Sequence, residues 1–280
     1  MPTIFKPDHP ALKAKAEVMS KNLLTNNAIS WMIYLAVMFG LGYLVVAGAS
    51  SMGYNWQWYR IPQYFFSEKN GTIELGLFTI GVLNTFKISF IAFFIACAFA
   101  IVLVALRLSH LIVGRTLSIT ILELVRNTPI LVLLYLFYYV FGPVFSLERE
   151  AAGIACLAVF HGVLISEILR SAIEAVPKGQ WEGAKSIGMS PFQTYRYIIL
   201  PQSVSFVIPP LTGELIHLIK NSAVVSVIAV VELTTIGRNV ISDTYMSFEV
   251  WFTIAAIYLV ITLSFSAMFH VVEKRFALKS

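Results

Sequence analysis

Apolar residues in this chain gather in long blocks rather than recurring at every second or every third to fourth position. Such blocks occupy 29–48, 82–106, 117–141, 151–173 and 250–272, and a further apolar but interrupted stretch runs from 201 to 240. A helix crosses the hydrocarbon core with ~20 apolar residues, so each uninterrupted block predicts one span. The stretch of 201–240 is too long for one span and awkward for two. Pro209-Pro210 and Lys220-Asn221-Ser222 fall inside it, predicting a broken helix that enters as 208–219 and resumes as a short helix over 223–235. The block at 117–141 is interrupted by Arg126-Asn127-Thr128-Pro129, where proline removes a backbone donor and predicts a kink. The expected fold is an all-α polytopic membrane protein with about six spans and a broken penultimate helix.

The polar segments set an orientation. Residues 1–28 carry Lys6, Lys13, Lys15 and Lys21; Arg107 and Arg115 follow the second block; Arg170, Lys178, Lys185 and Arg196 follow the fourth; Lys274, Arg275 and Lys279 end the chain. The alternate segments hold only Arg60, Lys69, Arg149 and Arg238. Basic residues favour the cytoplasmic side, so both ends are expected inside. Ala47-Gly48-Ala49 resembles a cleavage site, but the polar leader and the apolar run are both long for a signal peptide, which predicts a retained helix. Trp56, Trp58, Tyr59, Tyr64, Phe65 and Phe66 suit a segment lying at the membrane interface up to residue 79.

Composition narrows the function classes. Of 280 residues 58% are hydrophobic and 12% charged, with mean hydropathy +0.79, against roughly a quarter charged in soluble domains. No room is left for a separate soluble catalytic domain. The net charge of +5 is therefore an orientation signal and predicts no nucleic-acid partner. Cys97 and Cys156 sit in apolar blocks and read as small buried hydrophobes, with no disulfide and no metal site expected. No phosphate-binding G-x-x-x-x-G-K-[ST] loop occurs, so ATP hydrolysis by this chain is excluded.

The hydrophobicity collapse over 170–201 is the most informative segment. Residues 179–187 can form a short amphipathic helix that Gly188 stops; Ser190-Pro191 then starts a second helix, with serine as N-cap and proline in the first turn. Two short helices joined at a glycine form a knob suited to being gripped by a partner. Glu182-Gly183-Ala184, Gly188 after three residues, and Ile198-Ile199-Leu200-Pro201 after nine more match E-A-A, three residues, G, nine residues, I-x-L-P. On these residues the chain resembles the permease subunits of type I ABC importers. Gly183 departs from the pattern's alanine, at about 1 kcal/mol of helix propensity. The stretches from Glu123 to Val132 and from Pro209 to Ala223 resemble the polar amino acid branch, and the likeness covers 80–275, leaving 29–79 as an extra helix and external segment. The resemblance implies that Glu182, Gly183, Ala184, Gly188, Ile198, Leu200 and Pro201 seat a coupling loop on a separate ATPase dimer, where ATP and magnesium belong. It also implies a second permease subunit, identical or a sister chain, an external substrate-binding protein and an amino acid substrate. Glutamate, glutamine or aspartate is favoured; a basic amino acid or an opine is the alternative.

Ionisable groups at membrane depth cost ~2.5–3.5 kcal/mol each on insertion scales. Glu214, His217 and Asn221 are spaced i, i+3 and i+7 and share one helical face, while Lys220 points elsewhere. Beside the expected break this face is a candidate substrate path: Glu214 meeting an ammonium, Asn221 and Ser222 a carboxylate. The competing reading is a network that packs helices together. Glu123 and Arg126, i and i+3, are expected to pair as a gate or a structural ion pair; Glu167 and Arg170 repeat the spacing and are expected to pair structurally. Lys87 is expected to snorkel outward, and His161, with no partner at metal spacing, to pack as a lone neutral histidine. An intramembrane enzyme using Glu214 and His217, or a channel or ion-coupled carrier, would leave the knob without a purpose.

Overall fold

The centre of the protein is set by small residues. In the computed structural model, which describes residues 10–69, 72–109 and 111–277, helix α2 (Leu77–Leu108) buries Ile88, Ala92, Ala96, Ala100 and Leu103 along one face. Alanine every fourth position lets another helix approach closely. That helix is α6 (Arg149–Glu174), whose Gly162 faces Ala96 and Phe99 so tightly that a Cβ there would lie 2.8 Å from the Phe99 ring and 3.0 Å from the Ala96 carbonyl oxygen.

Two bodies are distinguished, residues 1–56 and 57–280. The first is dominated by α1 (Pro10–Ser51). Its apolar part, 27–51, is long enough to span a membrane and has none of its span buried within the chain. Helix therefore begins well inside the residues expected to form a polar tail, with proline suited to the first turn.

In the second body a short 3-10 turn (Trp58–Tyr64) leads to strands β1 (Phe66–Lys69) and β2 (Thr72–Leu75), antiparallel with Phe66 opposite Leu75. Ile61 is buried, and Tyr64 and Phe65 stack on Phe78 at the start of α2. This part of the expected interfacial segment thus folds onto α2 and joins a cluster with Val250 and Ile254.

Helix α3 (Ile112–Arg126) and the following helical run turn by 108° at a three-residue break. The run comprises α4 (Ile130–Tyr135), a π turn (Leu136–Phe141) and α5 (Gly142–Phe145). The expected kink is a corner instead. Pro129 excludes helical geometry at Thr128, and the side chains there close the helix end: Asn127 Nδ2 donates to the Glu123 carbonyl at 2.8 Å and Thr128 Oγ1 to the Leu124 carbonyl at 2.7 Å.

After α6 come α7 (Lys178–Ser186), α8 (Pro191–Thr194), a π turn (Tyr195–Ile199) and α9 (Leu200–Asn221). Pro209 and Pro210 do not break α9, which runs through them from Leu200. The real break follows Asn221: a 3-10 turn (Ser222–Ile228), Ala229 at φ 56°, and then α10 (Leu233–Thr244). The helix expected over 223–235 is displaced toward the C-terminus, because Val224, Val225, Val227 and Ile228 are β-branched and crowd an α-helix. Glu232 supplies the new start, accepting from the Thr234 and Thr235 amides at 2.8 and 2.7 Å. Helix α11 (Ser247–Ala277) closes the bundle against α9 and α10. Among the described residues, five helices are long and apolar enough to span, or six if the bent α3–α5 pair is one span.

Candidate functional site: a knob and a buried polar cluster

The knob folds as two short helices with ends closed in different ways. At the end of α7, Gly188 lies at φ 74°; its amide bonds the Lys185 carbonyl at 3.0 Å and the Met189 amide bonds Ala184 at 3.1 Å. This pattern satisfies two terminal carbonyls and favours glycine. At the start of α8, Ser190 Oγ accepts from the Gln193 amide while Gln193 Oε1 accepts from the Ser190 amide, a reciprocal capping box. The π turn before Leu200 lets the Leu200 amide reach back to the Tyr195 carbonyl. That wider turn accommodates Pro201, whose ring clashes with the carbonyl four residues back in a regular helix.

Its residues divide into anchors and surface. Ala184 is buried, while Glu182, Gly183, Gly188 and Pro201 are exposed and Ile198 is half-buried. Leu200 is 45% exposed, whereas Ile199, not singled out from the sequence, is fully buried with Val104, Ile173 and Val176. Trp181 meets Tyr195 edge-on at 5.2 Å between ring centroids, and Gln202 Nε2 donates to Gln180 Oε1 at 3.2 Å. Outward stand Ile187 at 75% and Phe192 at 77% exposure, flanked by Glu182 and Lys185. The knob thus exposes two large apolar side chains beside charges of both signs.

Within the bundle, Glu214 is buried on α9 and does not stand alone. His161 of α6, fully buried, places Nδ1 2.6 Å from Glu214 Oε1, and its Nε2 lies 3.3 Å from Asn221 Nδ2. An amide N–H donates only to a ring nitrogen with a free lone pair, so Nε2 accepts and Nδ1–H donates to the carboxylate. The expectation of a lone histidine is corrected: His161 joins α6 to both ends of the last two turns of α9. Its partners lie 53 and 60 residues away, so no local spacing signals them. His217, 62% exposed, approaches the other oxygen of Glu214 at 3.7 Å. Ser222 Oγ is buried and donates to the Ile219 carbonyl at 2.7 Å, so its proton is already committed within the chain.

The Glu123–Arg126 pair does not form. Glu123 Oε2 instead accepts from Asn127 Nδ2 at 3.0 Å, and among the described residues exposed Arg126 makes no ion pair; the Glu123 carboxylate is taken up by the amide that closes the helix end. Glu167 does accept from Arg170 at 3.2 Å, joined by Arg107 from α2. Lys87, its side chain half exposed, pairs with Glu150 at 2.6 Å. Arg149 and Arg238 donate to the Ala229 and Ser226 carbonyls at 3.3 and 3.2 Å, closing the turn after the break. Between α6 and α9, on the knob side of the cluster, a groove of about 360 Å³ is lined by Glu167, Ser171, Phe206 and Pro210.

The fold is thus a bundle of membrane-capable helices with a protruding two-helix knob and a buried polar cluster. The family model described as "Binding-protein-dependent transport system inner membrane component" matches residues 108–278. The chain is 34% identical over 218 residues to the probable amino-acid ABC transporter permease protein YckA of Bacillus subtilis (strain 168), covering 77% of this chain and 96% of that one. Over 166 residues it is 31% identical to the glutamine transport system permease protein GlnP of Escherichia coli (strain K12), covering 58% and 76%. A crystal structure of an amino acid ABC transporter with histidines superposes with TM-score 0.68 at 35% identity, covering 71% of this chain and 94% of that one. The inward-facing MetNI methionine ABC transporter, at 19% identity and TM-score 0.61, adds likeness of fold. The chain belongs to the family of inner membrane components of binding-protein-dependent transport systems, and it is a multi-pass protein of that membrane.

Proposed function

We propose that this chain is the permease subunit of an ATP-driven importer for a polar L-amino acid, with glutamine and its acidic relatives as the favoured class. The knob carries the reading: a closed α7–α8 pair at the motif spacing, with Ile187 and Phe192 exposed, suits a groove on a separate ATPase. In this reading the partners are an ATPase dimer, which holds ATP and magnesium, a second permease subunit and an external substrate-binding protein. Relatives named for glutamine transport support the substrate class. Glu214, with one oxygen on His161 and the other toward exposed His217, supplies an anion for the substrate ammonium, and Asn221 a polar contact for its carboxylate. Both chain ends lie in the cytoplasm in this arrangement, with the knob.

The test is capture of the ATPase by the intact membrane protein. Gly188→Asp and Glu182→Lys should abolish or strongly weaken capture while the bundle still inserts; unchanged capture by both, or transport without nucleotide, would refute the reading. Identifying the ligand of the co-encoded binding protein tests the substrate class, and a basic amino acid or an opine as its ligand would overturn the preference for glutamine.

A further inference from the structure

We infer that His161 is the positioning residue of the buried carboxylate: it fixes Glu214 as an acceptor with one oxygen occupied and one available, and ties that carboxylate to the break in α9. The inference rests on the reading of Glu214 as a substrate contact and assigns the group that makes such a contact workable.

A carboxylate at this depth needs a donor. The nearest is the imidazole, 2.6 Å away and fully buried, held edge-on against Phe160 at 5.3 Å. Asn221 fixes its tautomer from the other side at 3.3 Å, as a second partner fixes the ring orientation of a metal-binding or catalytic histidine. Asn221 is also the last residue of α9, so carboxylate, ring and helix end form one chain of bonds. Among the described residues, no other charged side chain is recorded as an ion-pair partner of Glu214 besides the two histidines. The α2 face packed on α6 presents Ala96 and Phe99, the Lys87–Glu150 pair sits at one end of the bundle, and Arg107, Glu167 and Arg170 pair with one another toward the knob. On α9 the further titratable neighbour is His217, at 3.7 Å on the opposite oxygen. His161 therefore holds Oε1, and Oε2 faces the exposed side of α9, where one ammonium N–H can replace the distant His217.

The complex with its ATPase and second permease subunit, purified without the binding protein, is assayed for binding of each of the twenty 14C-labelled L-amino acids, alongside its melting temperature. Removing a hydrogen bond to a charged group changes affinity roughly tenfold or more. His161→Leu should raise Kd by that factor and lower the melting temperature, because Glu214 is left without its buried donor, and His161→Asn, whose amide N–H stands where Nδ1 stood, should restore most of both. Glu214→Gln should raise Kd alone, with His161→Leu adding nothing further to it. Equal loss in the leucine and asparagine variants, or full additivity with Glu214→Gln, overturns the assignment in favour of simple packing. If His161→Leu fails to assemble, the double variant with Glu214→Gln decides: recovery supports an orphaned carboxylate as the cause, and no recovery overturns it. Unchanged Kd in Glu214→Gln alone removes the substrate reading itself, a result distinct from the failure of His161.

Discussion

Trp181 and Tyr195 stand edge to face at 5.2 Å, with planes 85° apart, and this contact closes the knob on itself. It links α7 to the π turn that enters α9, so the knob and the long helix behind it share a joint. Such pairs contribute about 0.5–1.5 kcal/mol beyond area burial. Trp181→Ala should loosen 178–199 by at least that much, seen as faster amide exchange there with the bundle core unchanged, and ATPase capture should fall with it.

Gly188→Ala should be damaging although no neighbour lies within 4 Å of the added carbon. The cost is conformational: a side chain at φ 74° meets a penalty of about 1–2 kcal/mol. Gly183→Ala, also facing open space but inside α7, should gain about 1 kcal/mol of helix propensity. Measuring the thermal stability of the two variants side by side separates backbone strain from crowding.

Gly162→Val tests the close approach of α2 and α6. The added side chain meets Phe99 and the Ala96 backbone, and overpacking of this kind costs about 1–3 kcal/mol. The expected outcome is a lower melting temperature in detergent and poorer recovery of folded protein.

Glu232 lies outside the spans and is buried where it starts α10; burial raises its carboxyl pKa, only partly opposed by the Thr234 and Thr235 amides and the Tyr258 hydroxyl. A folded-state pKa above the unfolded one means that the folded state binds the proton more tightly. The contribution is then fully present below the unfolded pKa and is lost as pH rises through the folded one. Acidification from neutrality toward the ordinary carboxylate range should therefore stabilise the wild type relative to Glu232→Gln. Melting curves of both proteins at several pH values give the comparison, and parallel curves would refute it.

Arg126→Ala should leave stability within about 0.5 kcal/mol of wild type, the usual effect of an exposed side chain that, among the described residues, makes no ion pair. A larger loss in melting temperature would mean that Arg126 has a partner in the assembled transporter.

Spans and knob were legible in the sequence because each depends on residues close together in the chain. Block hydrophobicity locates α2, α6 and α11 to within a few residues, and Gly188 with Ser190-Pro191 carries its own turn chemistry. What depends on distant residues was not legible. Pro209-Pro210 reads as a break, yet packing against α6 and α11 keeps α9 continuous. Val224 to Ile228 reads as apolar span, yet β-branching and the cap at Glu232 move the helix onward. His161 reads as alone because both partners lie on another helix. Glu123 and Arg126 share a spacing that pairs charges within a helix, but the helix ends at Arg126 and Asn127, in the corner, takes the Glu123 carboxylate.

The two prolines inside α9 carry a mechanical consequence. Neither donates to the carbonyls of Ser205 and Phe206, so two neighbouring rungs of the helix ladder are absent, partway between the knob and Glu214. Helices bend where the ladder is interrupted. The rod linking the knob to the interior carboxylate is most easily bent at that point, and a displacement of one end arrives at the other as a change of angle as well.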